Sequence, residues 1–305
     1  MNIFDISSYP NLIYIMKKQQ KLTRLNSIFL LGVIFFFLVT GLSCDNKTFD
    51  IRIMTYNIRY AAQNNNIHDW TERRDGVVTI LSSADIAGLQ EVLPEQKDYL
   101  LEQLTGYGMV FRTRESDPFT GEGVPILYNK EVFAVIDSGT FWLSDTPEKP
   151  GSNTWGAACN RVTTWALFAH DKSTKKFYVF NTHLDHVSQE AREKSIDLII
   201  HRIDDSTDNL PVILLGDFNV EEHNLVYQKI IEHGELKDAF TEDHSISAER
   251  DMTFHGWDPA QKARRIDYVF VSEHFNVKET KVIQSMFGGQ YPSDHLPVSI
   301  LLALD

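Results

Sequence analysis

Short apolar runs rich in β-branched and aromatic residues recur along this chain. They lie at Ile51–Ile58, Ile86–Leu89, Val124–Tyr128, Phe133–Phe141, Val162–Ala169, Phe177–His183, Val212–Leu215, Ile266–Val271 and Leu296–Leu302. Apolar runs of this length, bounded by turn residues, read as strands. Helical patterns intervene. Asp69, three residues before Glu72, caps a helix running to about Ser82, and Pro94 opens another through Tyr99, Leu100 and Leu104. Gln189 to Ile203 carries Ile196, Ile199, Ile200 and Ile203 on one stripe, and a further helix covers Leu225 to Glu232. Strands outnumber helices, and many runs suit burial between a second sheet and a helix. The expected class is α/β (α+β): two packed sheets with outer helices.

Composition bounds the rest. With 305 residues, 43% of them hydrophobic, and two cysteines, the chain is neither disordered nor stapled by disulfides. Residues 1–44 read as a leader. Lys17, Lys18, Lys21 and Arg24 precede the uncharged run Ile28–Leu42, which has signal-peptide length and is short for a membrane span. Met16 offers an alternative start. Gly41-Leu42-Ser43-Cys44 resembles a bacterial lipobox, with Cys44 as the lipidated residue. The expectation is an exported protein, a cell-envelope lipoprotein or periplasmic, held to a membrane through its lipid. An uncleaved anchor is the alternative. Residues 45–305 show no linker or repeat and read as one domain, expected to be a monomer. Cys159 is left unpaired and reads as a buried inert thiol.

The whole chain has a formal charge of −13, and without the leader 25 basic residues face 41 acidic ones, a net charge of −16. Such a surface repels long polyanions, which disfavours nucleic acid as a partner without excluding a local basic groove.

Polar residues cluster at the ends of the apolar runs. Asn57 closes the first and Gln90-Glu91 the second, while Asn181-Thr182-His183-Leu184-Asp185-His186 closes a later one. Gly216-Asp217-Phe218-Asn219 follows Pro211–Leu215, and Ser293-Asp294-His295 opens the last run. Any one of these could be a turn. Together they are better explained by rigid strands aiming several loops at one place. Oxygen donors from Glu91, Asp217, Asp294, Asn57 and Asn219 suit Mg²⁺ or Mn²⁺. A calcium loop lacks its contiguous Asp/Asn run. Zinc has only His183 and His186 to offer, placed past a strand and with no cysteine cluster.

The ordered set Asn57, Gln90-Glu91, His183, Gly216-Asp217-Phe218-Asn219, Asp267 and Ser293-Asp294-His295 resembles the endonuclease/exonuclease/phosphatase superfamily, which includes deoxyribonuclease I. The stretches Ser138–Ser144, Asn181–His186 and Arg265–Val271 are most similar to its secreted or lipoprotein bacterial branch. The resemblance implies a four-layer sandwich of two mainly antiparallel mixed sheets flanked by helices. It implies Mg²⁺-dependent hydrolysis of a phosphate ester by in-line attack of water. Glu91, Asn57 and Asp294 would serve the metal. His295, oriented by Asp267, would be the general base or hold its proton, and Asp217 would align or deprotonate the water. Asn219 and His183 would donate to phosphoryl oxygens. Tyr128 matches a phosphate-side tyrosine, and Arg161 a strand arginine that pairs with phosphate or braces Glu91.

Substrate signals lie outside this set. Trp257, in Thr253–Asp258, could stack on a base or sugar, and Lys262, Arg264 and Arg265 form a basic cluster able to hold an anionic group. Three charges are too few for a long duplex track. The expected substrate is therefore a small or membrane-presented phosphoester. A secreted nuclease is the alternative within the same chemistry, and a catalytically inactive binding module the alternative outside it. The presence of Glu91, His183, Asp217 and His295 weighs against the last.

Overall fold

A computed structural model describes Gln19 and residues 49–61, 68–173, 175–242, 252–257 and 264–304. The chain divides into two units, Met1–Lys47 and Thr48–Asp305. In the first, only Gln19 is described, and the Cys44 expectation lies outside the described residues.

The strand β1 (Phe49–Asn57) shows how the second unit is layered. Successive side chains of a strand point to opposite faces. Ile51 and Ile53 enter one apolar cluster, and Met54 and Tyr56 enter another on the opposite face. The first cluster joins the two sheets. It contains Ile86, Ile126, Ile300 and Leu302 from one side and Phe168, Val179, Ile213, Leu215 and Val269 from the other.

The first sheet runs in the order β11 (Phe275–Val282), β12 (Val298–Leu304), β1, β2 (Ile86–Gln90), β4 (Ile126–Asn129) and β3 (Tyr107–Val110). The second runs β5 (Phe133–Trp142), β6 (Val162–His170), β7 (Lys176–His183), β8 (Val212–Asp217), β10 (Asp267–Val271) and β9 (Lys237–Asp238). Only the neighbours β1–β2 and β7–β8 are parallel. The helices α1 (Trp70–Leu81) and α2 (Pro94–Gln103) cover the outer face of the first sheet through Val77, Ile80, Leu81 and Leu100. The helices α3 (Gln189–Ser206) and α4 (Leu225–His233) cover the second through Ile196, Ile199, Ile203, Val226 and Ile230. A short helix, α5 (Ala239–Glu242), packs Phe240 into the inter-sheet core. The four-layer sandwich is thus present.

The α1 boundaries agree with the sequence reading, but Asp69 makes no side-chain capping bond. Ser188 and Asn224 do cap, accepting from Ala191 N and Val226 N. Three strands escaped the apolar pattern. β9 has two residues, β3 is a short edge strand containing Gly108, and β11 is an edge strand reading Phe-Asn-Val-Lys-Glu-Thr-Lys-Val. Edge strands carry charge because it discourages further pairing, and that charge erases the apolar signal.

The sheets approach closely below the motif residues. A Cβ on Gly88 would lie 2.0 Å from Leu215 Cδ1 and 2.8 Å from Asn181 Cγ, so any larger residue there must displace buried side chains. Beside it, buried amides bridge the sheets: Gln90 Nε2 donates to Asn181 Oδ1 at 2.8 Å, and Asn181 Nδ2 donates to Leu89 O and Pro125 O.

Candidate active site

Strand direction gathers the motif residues. In the two parallel pairs Asn57 sits beside Gln90 and His183 beside Asp217, so four motif positions leave their sheets at one end. Antiparallel strands begin where these end. Asp267, the first residue of β10, pairs with Asp217, and the segment leading into β12 passes Asn57, whose carbonyl accepts from Ser293 Oγ at 2.6 Å.

Asp217 Oδ2 is the hub. It accepts from Asn57 Nδ2 at 3.1 Å and lies 3.4 Å from His183 Nε2 and 3.7 Å from His295 Nε2. Its Oδ1 accepts from Asn219 N at 2.9 Å. Asn219 in turn donates one amide hydrogen to Leu184 O at 3.1 Å. The other ring nitrogen of His295, Nδ1, is 2.9 Å from Asp267 Oδ2. That carboxylate fixes the ring and its proton, the arrangement by which catalytic imidazoles are oriented. Glu91 Oε1 accepts from Asn57 Nδ2 at 3.1 Å, and Oε2 accepts from Tyr60 N at 3.2 Å. Glu91 and Asn219 both hold φ near the left-handed region, at 61° and 53°, where non-glycine residues persist only if surrounding structure enforces them.

The electrostatics differ sharply among these neighbours. Burial alone would lower the His295 pKa, but the carboxylates of Asp267 and Asp217 outweigh it and raise it to about 10. Burial, with Asp267 beside it, pushes Asp217 upward. His183 is held well below its ordinary value by burial and then by the Arg161 and Arg114 charges, so its ring is neutral.

Arg59 was not singled out by the sequence, although it follows the Asn57 strand end directly. Its Nη1 lies 3.6 Å from Glu91 Oε2 and 3.8 Å from Asp294 Oδ2. The two carboxylates expected to serve a metal therefore converge on one position that already attracts a cation. Their oxygen-donor set, with the Asn57 amide, fits a hard divalent ion. A second group, Asp217, Asp267 and His295, brings three donor atoms within 4.8 Å of one another, but there His295 Nδ1 is already bound to Asp267. That trio reads as an acid–base chain. Arg73, fully internal on α1, donates to the carbonyls of Ile58, Arg59, Tyr60 and Pro292, fixing the loop that carries Arg59 and the segment that carries Asp294.

Other expectations meet different outcomes. Arg161 is buried and lines a pocket with Glu91 and His183. Its Nη2 is 3.0 Å from His186 Nδ1, and its Nε is 3.8 Å from Asp185. Tyr128 is corrected: it lies away from this end. β4 runs antiparallel to β2, pairing Ile126 with Gly88 and Tyr128 with Ile86, so the strand carries Tyr128 away from Glu91. Its ring packs on Phe168, centroids 5.3 Å apart, in the inter-sheet core.

Arg265 is corrected too. Its guanidinium pairs with the buried Asp238 and with Glu222, and packs on the rings of Phe240 and Tyr268. It is an internal brace of the fold. Trp257 stacks on His68, centroids 4.1 Å apart, and its indole donates to Tyr291 O. It stands on the loop whose amides at His255 and Gly256 donate to Asp294 O. Lys262 lies outside the described residues. Cys159 is half-buried, and burial pushes its thiol upward, consistent with inertness.

With this geometry in place, comparison with known proteins is decisive. The model of the endonuclease/exonuclease/phosphatase family matches residues 54–295. The chain belongs to this family. Among solved structures, a family member from Bacteroides vulgatus is 34% identical, with TM-score 0.78, covering 84% of this chain and 100% of that one. A mannosyl-6-phosphatase from Bacteroides thetaiotaomicron is 30% identical, with TM-score 0.76, covering 83% and 99%. An uncharacterized protein, L388, of Acanthamoeba polyphaga mimivirus is 25% identical over 269 residues, 82% of this chain and 99% of its own length.

Proposed function

We propose that this protein is a divalent-metal-dependent hydrolase of small or membrane-presented phosphate esters, exported and held at the cell envelope through Cys44. The observation that carries the chemistry is the position of Asp217 Oδ2, in reach of Asn57, His183 and His295 and one residue contact from the Glu91 carboxylate. Glu91, Asn57 and Asp294 would hold Mg²⁺ or Mn²⁺, which when bound neutralises charge on the phosphoryl oxygens. Asp217 orients a water and takes one of its protons as the water oxygen bonds to phosphorus. The bond from phosphorus to the leaving oxygen breaks in line, and that oxygen departs as an alcohol after taking up a proton. His295, locked by Asp267, and the neutral ring of His183 face the phosphoryl oxygens as preorganised hydrogen-bond partners.

A small substrate is favoured by the net charge of −16 on residues 45–305 and by the loss of Arg265 from the candidate basic cluster. The similarity to a mannosyl-6-phosphatase supports the same reading. The test is turnover of DNA, RNA, nucleotides, sphingomyelin, inositol phosphates and sugar phosphates with Mg²⁺, with and without chelator. Activity that survives chelation defeats the metal mechanism. Efficient cleavage of long duplex DNA with a steep salt dependence restores the nuclease.

A further inference from the structure

A pocket of about 190 Å³, including space open to solvent, adjoins the site. Its enclosed part has room for about one water-sized group. Glu91 and His183 form one part of its lining, and Arg114, Glu122 and Arg161 another. We infer that Arg114 and Arg161 form a seat for the third unesterified oxygen of a phosphomonoester, and so select monoester dianions over diesters. The inference rests on the phosphoester-hydrolase reading and names its substrate class.

Both guanidinium groups are built in. Arg161 is 5% exposed and is held by His186 Nδ1 at 3.0 Å and by Asp185 at 3.8 Å. Asp185 accepts from the amides of Ala158, Val187 and Ser188, which keep it charged and fixed as a clamp. Arg114 makes a two-pronged pair with Glu122, at 2.9 and 3.0 Å. On both arginines the Nε–H is buried and makes no hydrogen bond, with Glu115 Oε1 3.6 Å from Arg114 Nε and Asp185 Oδ2 3.8 Å from Arg161 Nε. Neither carboxylate comes close enough to satisfy its donor fully, so both guanidinium groups keep hydrogen-bonding capacity beside the pocket they line. The field of both arginines reaches His183, whose proton affinity they depress after burial has done so.

The chemistry of the ester supplies the discrimination. Two unesterified oxygens are common to monoesters and diesters, and His183, Asn219 and a metal held by Glu91, Asn57 and Asp294 would serve them. A monoester has a third, and near neutral pH it carries close to two negative charges, since its second pKa is about 6. On a diester that third position is an ester oxygen bearing carbon. Such an oxygen is a poor acceptor for arginine, and its substituent would have to enter the small pocket between two fixed cations. Arg114 is the new member of this seat, contributed by the loop between β3 and β4.

The test uses the full chain with Mg²⁺, p-nitrophenyl phosphate and bis(p-nitrophenyl) phosphate, which share a leaving group. The wild type should prefer the monoester in kcat/KM by about tenfold or more, the size of one charge-assisted hydrogen bond. Arg114→Gln should lower kcat/KM for the monoester about 10- to 100-fold, chiefly through KM, with the diester changed less than about threefold. Arg114→Lys should recover part of the loss, since it keeps the charge without the fork. Equal losses on both esters, or a wild type that prefers the diester, overturn the inference. Failure to cleave either ester with Mg²⁺ or Mn²⁺ overturns the phosphoester reading itself. A readout free of variants is the wild-type melting temperature at pH 8. Inorganic phosphate should raise it and dimethyl phosphate should not, and equal effects count against the seat.

Discussion

Replacing Arg265 by Met separates a substrate contact from an internal brace. Asp238 is fully buried, and its Oδ2 faces the Arg265 guanidinium while also accepting from Tyr227 Oη at 3.0 Å. Its Oδ1 accepts from Phe240 N at 3.0 Å. Methionine keeps much of the packing against Phe240 and Tyr268, whose ring centres lie 4.4 and 4.6 Å from the guanidinium carbon. What it removes is the cationic partner of a buried carboxylate. Breaking a buried pair from one side costs about 3–5 kcal/mol. For a domain of this size each kcal/mol moves the melting temperature by roughly 2–4 °C, so a fall of roughly 6–20 °C is expected. KM for any cleaved phosphoester, measured below the transition, should be unchanged. Adding Asp238→Asn should return part of the lost stability, because the stranded charge is then gone. An Arg265→Met protein that melts within about 2 °C of wild type yet binds substrate about tenfold more weakly would refute the brace and restore the substrate contact.

Glu91→Gln should cost orders of magnitude in turnover while the melting temperature holds or rises, since one of several crowded carboxylates is neutralised; near-normal turnover removes Glu91 from the metal set. Tyr128→Phe should leave kcat/KM within about twofold, because its ring serves the inter-sheet core; a loss of tenfold or more would return the residue to the phosphate. His295 adds a pH dependence. Its folded pKa of about 10 lies above its ordinary 6.5, so the stability it contributes is complete below pH 6.5 and is lost as pH rises toward 10. Asp217, also raised, tilts stability in the same direction at lower pH. Melting curves from pH 6 to 10 should therefore fall more steeply for wild type than for His295→Gln, and parallel curves would contradict the charge assignment.

Much of this molecule could be read from the sequence because strand periodicity and strand ends carry local signals. Asn57, Glu91, His183, Asp217, Asp267 and His295 each sit where an apolar run stops or starts, and the parallel pairs then bring those stops together. Tyr128 has the same local signature but was misplaced, because strand direction decides which end faces the site and direction is not local. Arg265 was misread since a basic cluster looks alike whether its charges face solvent or a buried Asp238 27 positions away. Arg114 and Glu122 gave no signal at all. They belong to a connecting loop, and only the fold shows that it returns to Glu91 and His183.

The buried amide bridge and the two pairs above it, Asn57 with Asp217 and His295 with Asp267, all span the gap between the sheets. The reacting groups are thus divided between two slabs that meet through apolar side chains, a few amides and these polar pairs. Turnover then measures how the slabs are aligned, and a displacement of about 1 Å at such a centre costs about a hundredfold. Leu215, Phe168 and Ile213 touch no reacting atom, yet a change in their bulk would shift one slab against the other. Variation deep in the interior therefore acts as a throttle on rate, and selection on activity reaches residues that no substrate ever meets.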